Sequence, residues 1–171
     1  MTTHSAHVTL VLGGARSGKS RYAEGLVTAI PGPWHYIATA QALDDEMRAR
    51  ILTHQARRGA GWTTVEAPLD LAGALAKAAA RPVLVDCLTL WLTNLMLAGH
   101  DLKVATAALD AALDARSTET VLVANEVGLG IVPDNALARA FRDAAGQLNQ
   151  HVAASAAVVV FMVAGLAMRL K

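Results

Sequence analysis

Eight residues constrain the fold of this chain more than any others: "GGARSGKS", Gly13 to Ser20. They fit the pattern G-x-x-x-x-G-K-[ST] and stand between an apolar run, "VTLVLG" from Val8, and a helical pattern from Lys19 to Thr28. A glycine-rich turn joining strand to helix points successive backbone N–H groups at one place, and the helix adds the positive end of its dipole. Such a place suits a phosphate. Gly13, Gly14 and Gly18 let the backbone curl around Ala15, Arg16 and Ser17, Lys19 is placed to reach β- and γ-phosphates, and Ser20 to ligate Mg²⁺.

The rest of the chain repeats the strand–helix alternation. Four more apolar runs read as buried strands: "WHYIATA" from Trp34, "PVLVDC" from Pro82, "TVLVAN" from Thr120 and "AVVVFMVAG" from Ala157. They are continuous rather than alternating, as parallel strands covered on both faces are. Helical patterns fill the gaps at Leu43 to Arg58, Leu69 to Ala80, Leu88 to Ala98, Leu102 to Ala115 and Asn135 to Ala154. The expectation is a P-loop NTPase-type α/β fold: one domain over 1–171, a mostly parallel sheet and helices on both faces. Ligands in such a sheet bind beyond the carboxyl ends of the strands. There the sequence collects Gly13 to Ser20, Ala38 to Gln41, Asp86, Cys87, Asn125 and Glu126.

Composition narrows the function. A formal net charge of +1 gives no broad basic field for nucleic acid. With 54% hydrophobic and 17% charged residues, the chain has more apolar surface than a monomer of this size usually buries, which points to a homo-oligomer. The single cysteine, Cys87, excludes an internal disulfide framework, suits a reducing compartment and reads as a small core residue. The N-terminus has no Lys or Arg ahead of its apolar run and makes a poor signal peptide. The apolar stretch Val152 to Met168 is short for a membrane span and reads as a helix end followed by a buried strand.

Other residues have two readings each. Asp86 closes "VLVD", either as the second Mg²⁺ carboxylate that a phosphate loop demands or as the N-cap of the next helix. Glu126 is either a base for an acceptor hydroxyl or a loop carboxylate. In "MRARILTHQARR" the helical neighbours of His54 are Arg50, Ile51, Arg57 and Arg58. Cationic neighbours disfavour imidazolium, and a neutral imidazole beside arginines suits attack on a phosphate; on spacing alone, though, the histidine reads as surface or core filler. His4, His7, His35, His100 and His151 share no ligand spacing. Trp62 and Trp91 read as packing, and Arg139 and Arg142 as a solvated helix face. The guanine-reading N-K-x-D of signalling GTPases is missing.

The blocks "GGARSGKSRYAE", "YIATAQALDDEMRARILTHQARRGAGWTTVE", "VLVDCLTLWLTNLM" and "NEVGLGIVPDNALARAFRDAAGQLNQ" resemble the bifunctional adenosylcobinamide kinase and adenosylcobinamide-phosphate guanylyltransferase family of cobalamin biosynthesis. The resemblance covers nearly the whole chain. It implies phosphorylation of the corrinoid by ATP or GTP, then transfer of GMP from GTP through a GMP-histidine to give adenosylcobinamide-GDP, in a cytoplasmic homo-oligomer, a trimer. By the family pattern R-I-x-x-H the guanylylated histidine is His54. The family's nucleotide contacts fall on Gly13 to Ser20, on Ala38, Thr39 and Ala40, on Gln55, Ala56, Arg57 and Arg58, on Glu66 and on Asp86. Departures are Gln55 where arginine is common, Gly59 for proline, Ala124 for threonine and Gln147 for arginine. Two rivals stand beside this reading: a simple small-molecule kinase with His54 structural, and a nucleotide-dependent interaction module.

Overall fold

Strand and helix alternate along the chain: β1 (Ser5–Gly13), α1 (Lys19–Thr28), β2 (Trp34–Ala38), α2 (Asp45–Arg57), β3 (Trp62–Glu66), α3 (Leu71–Ala78), β4 (Val83–Asp86), α4 (Leu88–Leu97), α5 (Leu102–Asp114), β5 (Thr120–Asn125), α6 (Ala136–Ser155), β6 (Ala156–Val163) and β7 (Leu166–Arg169). The structure, a computed structural model, describes residues 5–42, 45–78 and 80–171. The expected helix starts at Leu43, and that residue and Ala79 of the following helix lie outside the described residues. The strands form one sheet in the order β3-β2-β4-β5-β1-β6-β7. All pairings are parallel except β6 with β7. The fold is the P-loop NTPase type, a mostly parallel sheet with its glycine loop between β1 and α1.

Alternate residues of the central strands feed two cores. Val8, Leu10 and Leu12 of β1 join Val83, Val85 and Leu122 under Leu71, Leu75, Leu88, Leu92, Leu109 and Leu148 of α3, α4, α5 and α6. Val11, Leu84, Val121, Val123 and Val160 point the other way, against Ala23 and Val27 of α1. Burying each such side chain contributes about 1.5–3 kcal/mol, which is why continuous apolar runs become inner strands. No helix among the described residues is long and apolar enough to cross a membrane. The stretch Val152 to Met168 is the end of α6, then β6 and part of β7.

Sequence reading missed β3 and β7, both at the sheet edges. In "WTTVE" three of the five residues are exposed, and all four residues of β7 are exposed, so neither carries the apolar continuity of a covered strand.

Candidate nucleotide site at the carboxyl edge

The phosphate loop is fixed from several sides. A Cβ on Gly13 would stand 2.7 Å from both Met162 O and Ser17 Oγ, so only glycine fits between β6 and the loop. Gly18, the N-cap of α1, has the left-handed φ of 94° that a side chain would strain. The turn joining β6 to β7 leans on the loop, Gly165 N–H donating to Ser17 O at 3.0 Å. Just past β5, Glu126 N–H donates to Gly13 O at 3.1 Å. Ser17 Oγ is buried without a hydrogen-bond partner among the described residues, an orphan that a phosphate oxygen would satisfy.

Lys19 is 8% exposed and folds its Nζ back to donate to Gly14 O at 2.6 Å. Burial lowers its pKa, with Cys87 and Asp86 pulling it back up. The ammonium thus sits over the loop within the field of Asp86. Ser20 follows in the first turn of α1, half-buried.

Register levels the neighbouring strand ends. Glu66 of β3 pairs with Ala38 of β2, and Ala38 pairs with Asp86 of β4. Glu66 is exposed at this edge, while Ala38 and Asp86 are half-buried. Beyond the row Thr39 knots two strand ends together, its Oγ1 donating to Cys87 O at 2.7 Å and accepting from Cys87 N–H at 2.8 Å. Asn94 of α4 completes the knot by donating to Thr39 O at 2.8 Å and Pro68 O at 3.0 Å. The Asp86–Cys87 peptide is cis. Burial, reinforced by Asp86, pushes the Cys87 thiol up to about 12, so it is a neutral core group.

Asp86 does not cap α4; Cys87 holds the N-cap position, with no side-chain bond. The Asp86 carboxylate instead accepts from Tyr36 Oη, at 3.0 Å to Oδ2. Burial, and then the charge of Asp86, raise the Tyr36 pKa, so the phenol stays a donor. Oδ1 has no hydrogen-bond partner among the described residues. A carboxylate and a hydroxyl are hard oxygen donors of the kind Mg²⁺ takes, so Asp86 and Ser20 fit that ion chemically.

The chain reaches this site again just past α2. The Arg58 guanidinium lies 3.6 Å from the centre of the Tyr36 ring, a cation–π stack, and its Nη1 is buried without a partner among the described residues. Trp62 meets Tyr36 edge-on at 6.1 Å and Trp34 at 5.5 Å, which makes Trp62 a packing residue. Trp91 is buried with Nε1 donating to Leu69 O at 2.9 Å. The backbone of His54 belongs to the last turn of α2, and Ala56 is exposed there. The side chains of His54, Gln55 and Arg57 lie outside what the structure describes. Arg139 binds the carbonyls of Pro133 at 3.0 Å and Asp134 at 2.7 Å, and Glu126 Oε1 accepts from Gly128 N–H at 2.5 Å. Both side chains therefore shape the loop after β5.

The family model for cobinamide kinase / cobinamide phosphate guanyltransferase matches residues 9–170. The chain belongs to that family. Three relatives match the chain over most of its length. The bifunctional adenosylcobalamin biosynthesis protein CobP of Pseudomonas aeruginosa is 50% identical over 95% of this chain and 96% of its own length. The corresponding CobU proteins of Salmonella typhimurium and Escherichia coli are 44% and 43% identical, each over 95% of this chain and 98% of its own. The flagellar accessory protein FlaH of Methanocaldococcus jannaschii superposes with a TM-score of 0.49 at 14% identity, over 99% of this chain and 79% of its own. As a cobinamide kinase and cobinamide phosphate guanylyltransferase, the chain is an enzyme of cobalamin biosynthesis rather than an interaction module, and the one-activity kinase is not favoured.

Sequence reading did not find Tyr36, the Thr39–Cys87–Asn94 knot or the β6–β7 turn at the loop. Only Tyr36 left a signal. A tyrosine inside a covered strand needs a partner for its hydroxyl, and a carboxylate closes the next apolar run.

Proposed function

We propose that one triphosphate site in this chain serves both reactions of the family. In the first, the aminopropanol hydroxyl of adenosylcobinamide attacks the γ-phosphorus of ATP or GTP and the nucleoside diphosphate leaves. In the second, an imidazole nitrogen of His54 attacks the α-phosphorus of GTP and pyrophosphate leaves. A phosphate oxygen of the phosphorylated corrinoid then attacks the histidine-bound phosphorus, the histidine nitrogen leaves, and adenosylcobinamide-GDP is released.

The roles follow the site's chemistry. The backbone of Gly13 to Ser20 cradles the phosphates and Lys19 offsets their charge. Ser20 and Asp86 hold Mg²⁺, which supplies charge neutralisation on the phosphate oxygens. Ala38, Thr39, Ala40, Gln55, Ala56, Arg57, Arg58 and Glu66 contact the nucleotide. The observation that carries this reading is the level row of Glu66, Ala38 and Asp86 at the edge where Lys19 sits. Arg58 adds to it, because it directly follows α2 and His54 lies in the last turn of that helix, about 4.5 Å of rise before its end. A swing of α2 about Gly59 and Gly61 would close the remaining distance to the α-phosphorus. The enzyme works as one domain over 1–171 in a cytoplasmic homo-oligomer, a trimer. Its buried unpaired cysteine and exposed apolar side chains support that setting.

GTP labelled at the α-phosphorus tests the scheme. The expected result is a protein adduct stable to base and labile to acid, abolished in His54→Ala while phosphorylation of adenosylcobinamide continues. Label persisting in that variant would remove His54 from the mechanism.

A further inference from the structure

Two contacts of Tyr36 have no place in the scheme above. Its hydroxyl donates to Asp86 Oδ2 at 3.0 Å, and the guanidinium of Arg58 lies 3.6 Å from the centre of its ring. Asp86 ends β4; Arg58 directly follows α2, the helix that carries His54. Tyr36 itself lies in the middle of β2, 5% exposed, and Trp62 packs edge-on against it. One rigid side chain therefore touches the carboxylate at the phosphate site with its tip and the root of the histidine helix with its face.

Each contact is of a kind that orients its partner. A phenol donating to one carboxylate oxygen fixes the carboxylate plane and leaves Oδ1 directed elsewhere. A guanidinium stacked on a ring, away from bulk water, gains more than an exposed one. Arg58 also keeps Nη1 buried without a partner among the described residues, so the stack, rather than a hydrogen bond from that nitrogen, holds this end of the side chain.

We propose that Tyr36 is a positioning residue that couples the two half-reactions, its hydroxyl aiming Asp86 at the metal and its ring docking Arg58 so that α2 is held beside the triphosphate. The proposal rests on the assignment of Asp86 to Mg²⁺ and of His54 to GMP transfer. The two contacts are chemically separable. Tyr36→Phe deletes the hydroxyl and keeps the ring; Tyr36→Leu deletes both.

The test uses the full chain and GTP, with thermal unfolding to establish that each variant is folded. Equilibrium GTP binding is titrated with Mg²⁺, hydrogen exchange is followed in residues 45–57, and histidine labelling is compared with corrinoid phosphorylation. For Tyr36→Phe the expected result is a Mg²⁺ requirement raised about fivefold or more, metal-free GTP binding unchanged, and α2 exchange as in the parent. Tyr36→Leu is expected to add faster exchange in α2 and a further loss of tenfold or more in histidine labelling, beyond any loss in phosphorylation. Asp86→Asn is the control. If it shifts the Mg²⁺ requirement and Tyr36→Phe does not, the hydroxyl role is overturned alone; if neither shifts it, the metal assignment falls with it. Equal α2 exchange and equal labelling in the Phe and Leu variants would overturn the ring role, whereas label surviving His54→Ala would instead sink the nucleophile assignment.

Discussion

Lys19, assigned above to the phosphates, carries a cost in the resting fold. The loop puts an ammonium where it is 8% exposed and bonded to a carbonyl, Gly14 O, rather than to a carboxylate. Burial therefore lowers its pKa from the ordinary 10.5. Below that lowered value the native state carries a charge it would shed more readily than the unfolded chain does. The destabilisation is full at neutral pH and fades as pH rises through the folded pKa towards 10.5. Lys19→Met is accordingly expected to raise the Tm of the nucleotide-free protein at pH 7, by roughly 2–4 °C for each kcal/mol relieved in a chain of this size. The same variant is expected to lose both activities, and its Tm advantage should shrink as pH rises towards 10.5. A lower Tm at pH 7 would show that the Gly14 contact outweighs the burial. That a lysine belonged in this loop was legible from spacing. That Asp86 would take its hydrogen bond from Tyr36 was not, because the two residues are brought together only by the pairing of β2 with β4.

At the scale of elements, the sheet edge opposite the proposed nucleotide site is locked. Arg116, between α5 and β5, is 9% exposed. Its guanidinium donates to Thr120 Oγ1 at 2.5 Å, Leu75 O at 3.0 Å, Arg81 O at 2.6 Å and Thr118 Oγ1 at 2.9 Å. One side chain thus ties the end of α3 and the entry to β4 to the entry to β5. Arg116→Met would leave those acceptors short of donors at about 1–3 kcal/mol for a buried orphan, so a loss of roughly 3 kcal/mol is expected in urea unfolding. A loss below about 1 kcal/mol would mean that water replaces the guanidinium. "DARSTET" holds its two hydroxyl partners but does not mark this arginine as a lock, since the carbonyls of Leu75 and Arg81 are brought to it only by tertiary structure. The helices were easier to read. Lys19–Thr28 follows directly from its glycine start, and Asn135 caps α6 through Ala138 N–H at 2.7 Å. The two edge strands escaped because a strand covered on one face only, or on neither, lacks the apolar run that identified the other five.

For the whole molecule, most of the exposed large apolar side chains fall in two regions, with Leu52, Leu97 and Val104 standing apart on α2, α4 and α5. Leu129 and Ile131, in the loop after β5, are 80% and 98% exposed, and Leu166 of β7 is 75% exposed. Val132, Leu137, Val163, Met168 and Leu170 extend the same two regions. Covering a side chain of this size contributes about 1.5–3 kcal/mol, and a homo-oligomer would cover it once in every copy. Both regions adjoin the site, since the β5 loop starts where Glu126 binds Gly13 and the β6–β7 turn donates to Ser17. Assembly through them would stiffen the phosphate loop, so oligomer and nucleotide should favour each other. Sedimentation of the parent chain is expected to give three times the chain mass. Ile131→Asp and Leu166→Asp should each weaken association roughly ten- to hundredfold by the same burial energy, and GTP should partly restore the assembly. A parent chain that sediments as a monomer at micromolar concentration, with or without GTP, would overturn the trimer. Aspartate variants that assemble like the parent would instead move the interface to another face.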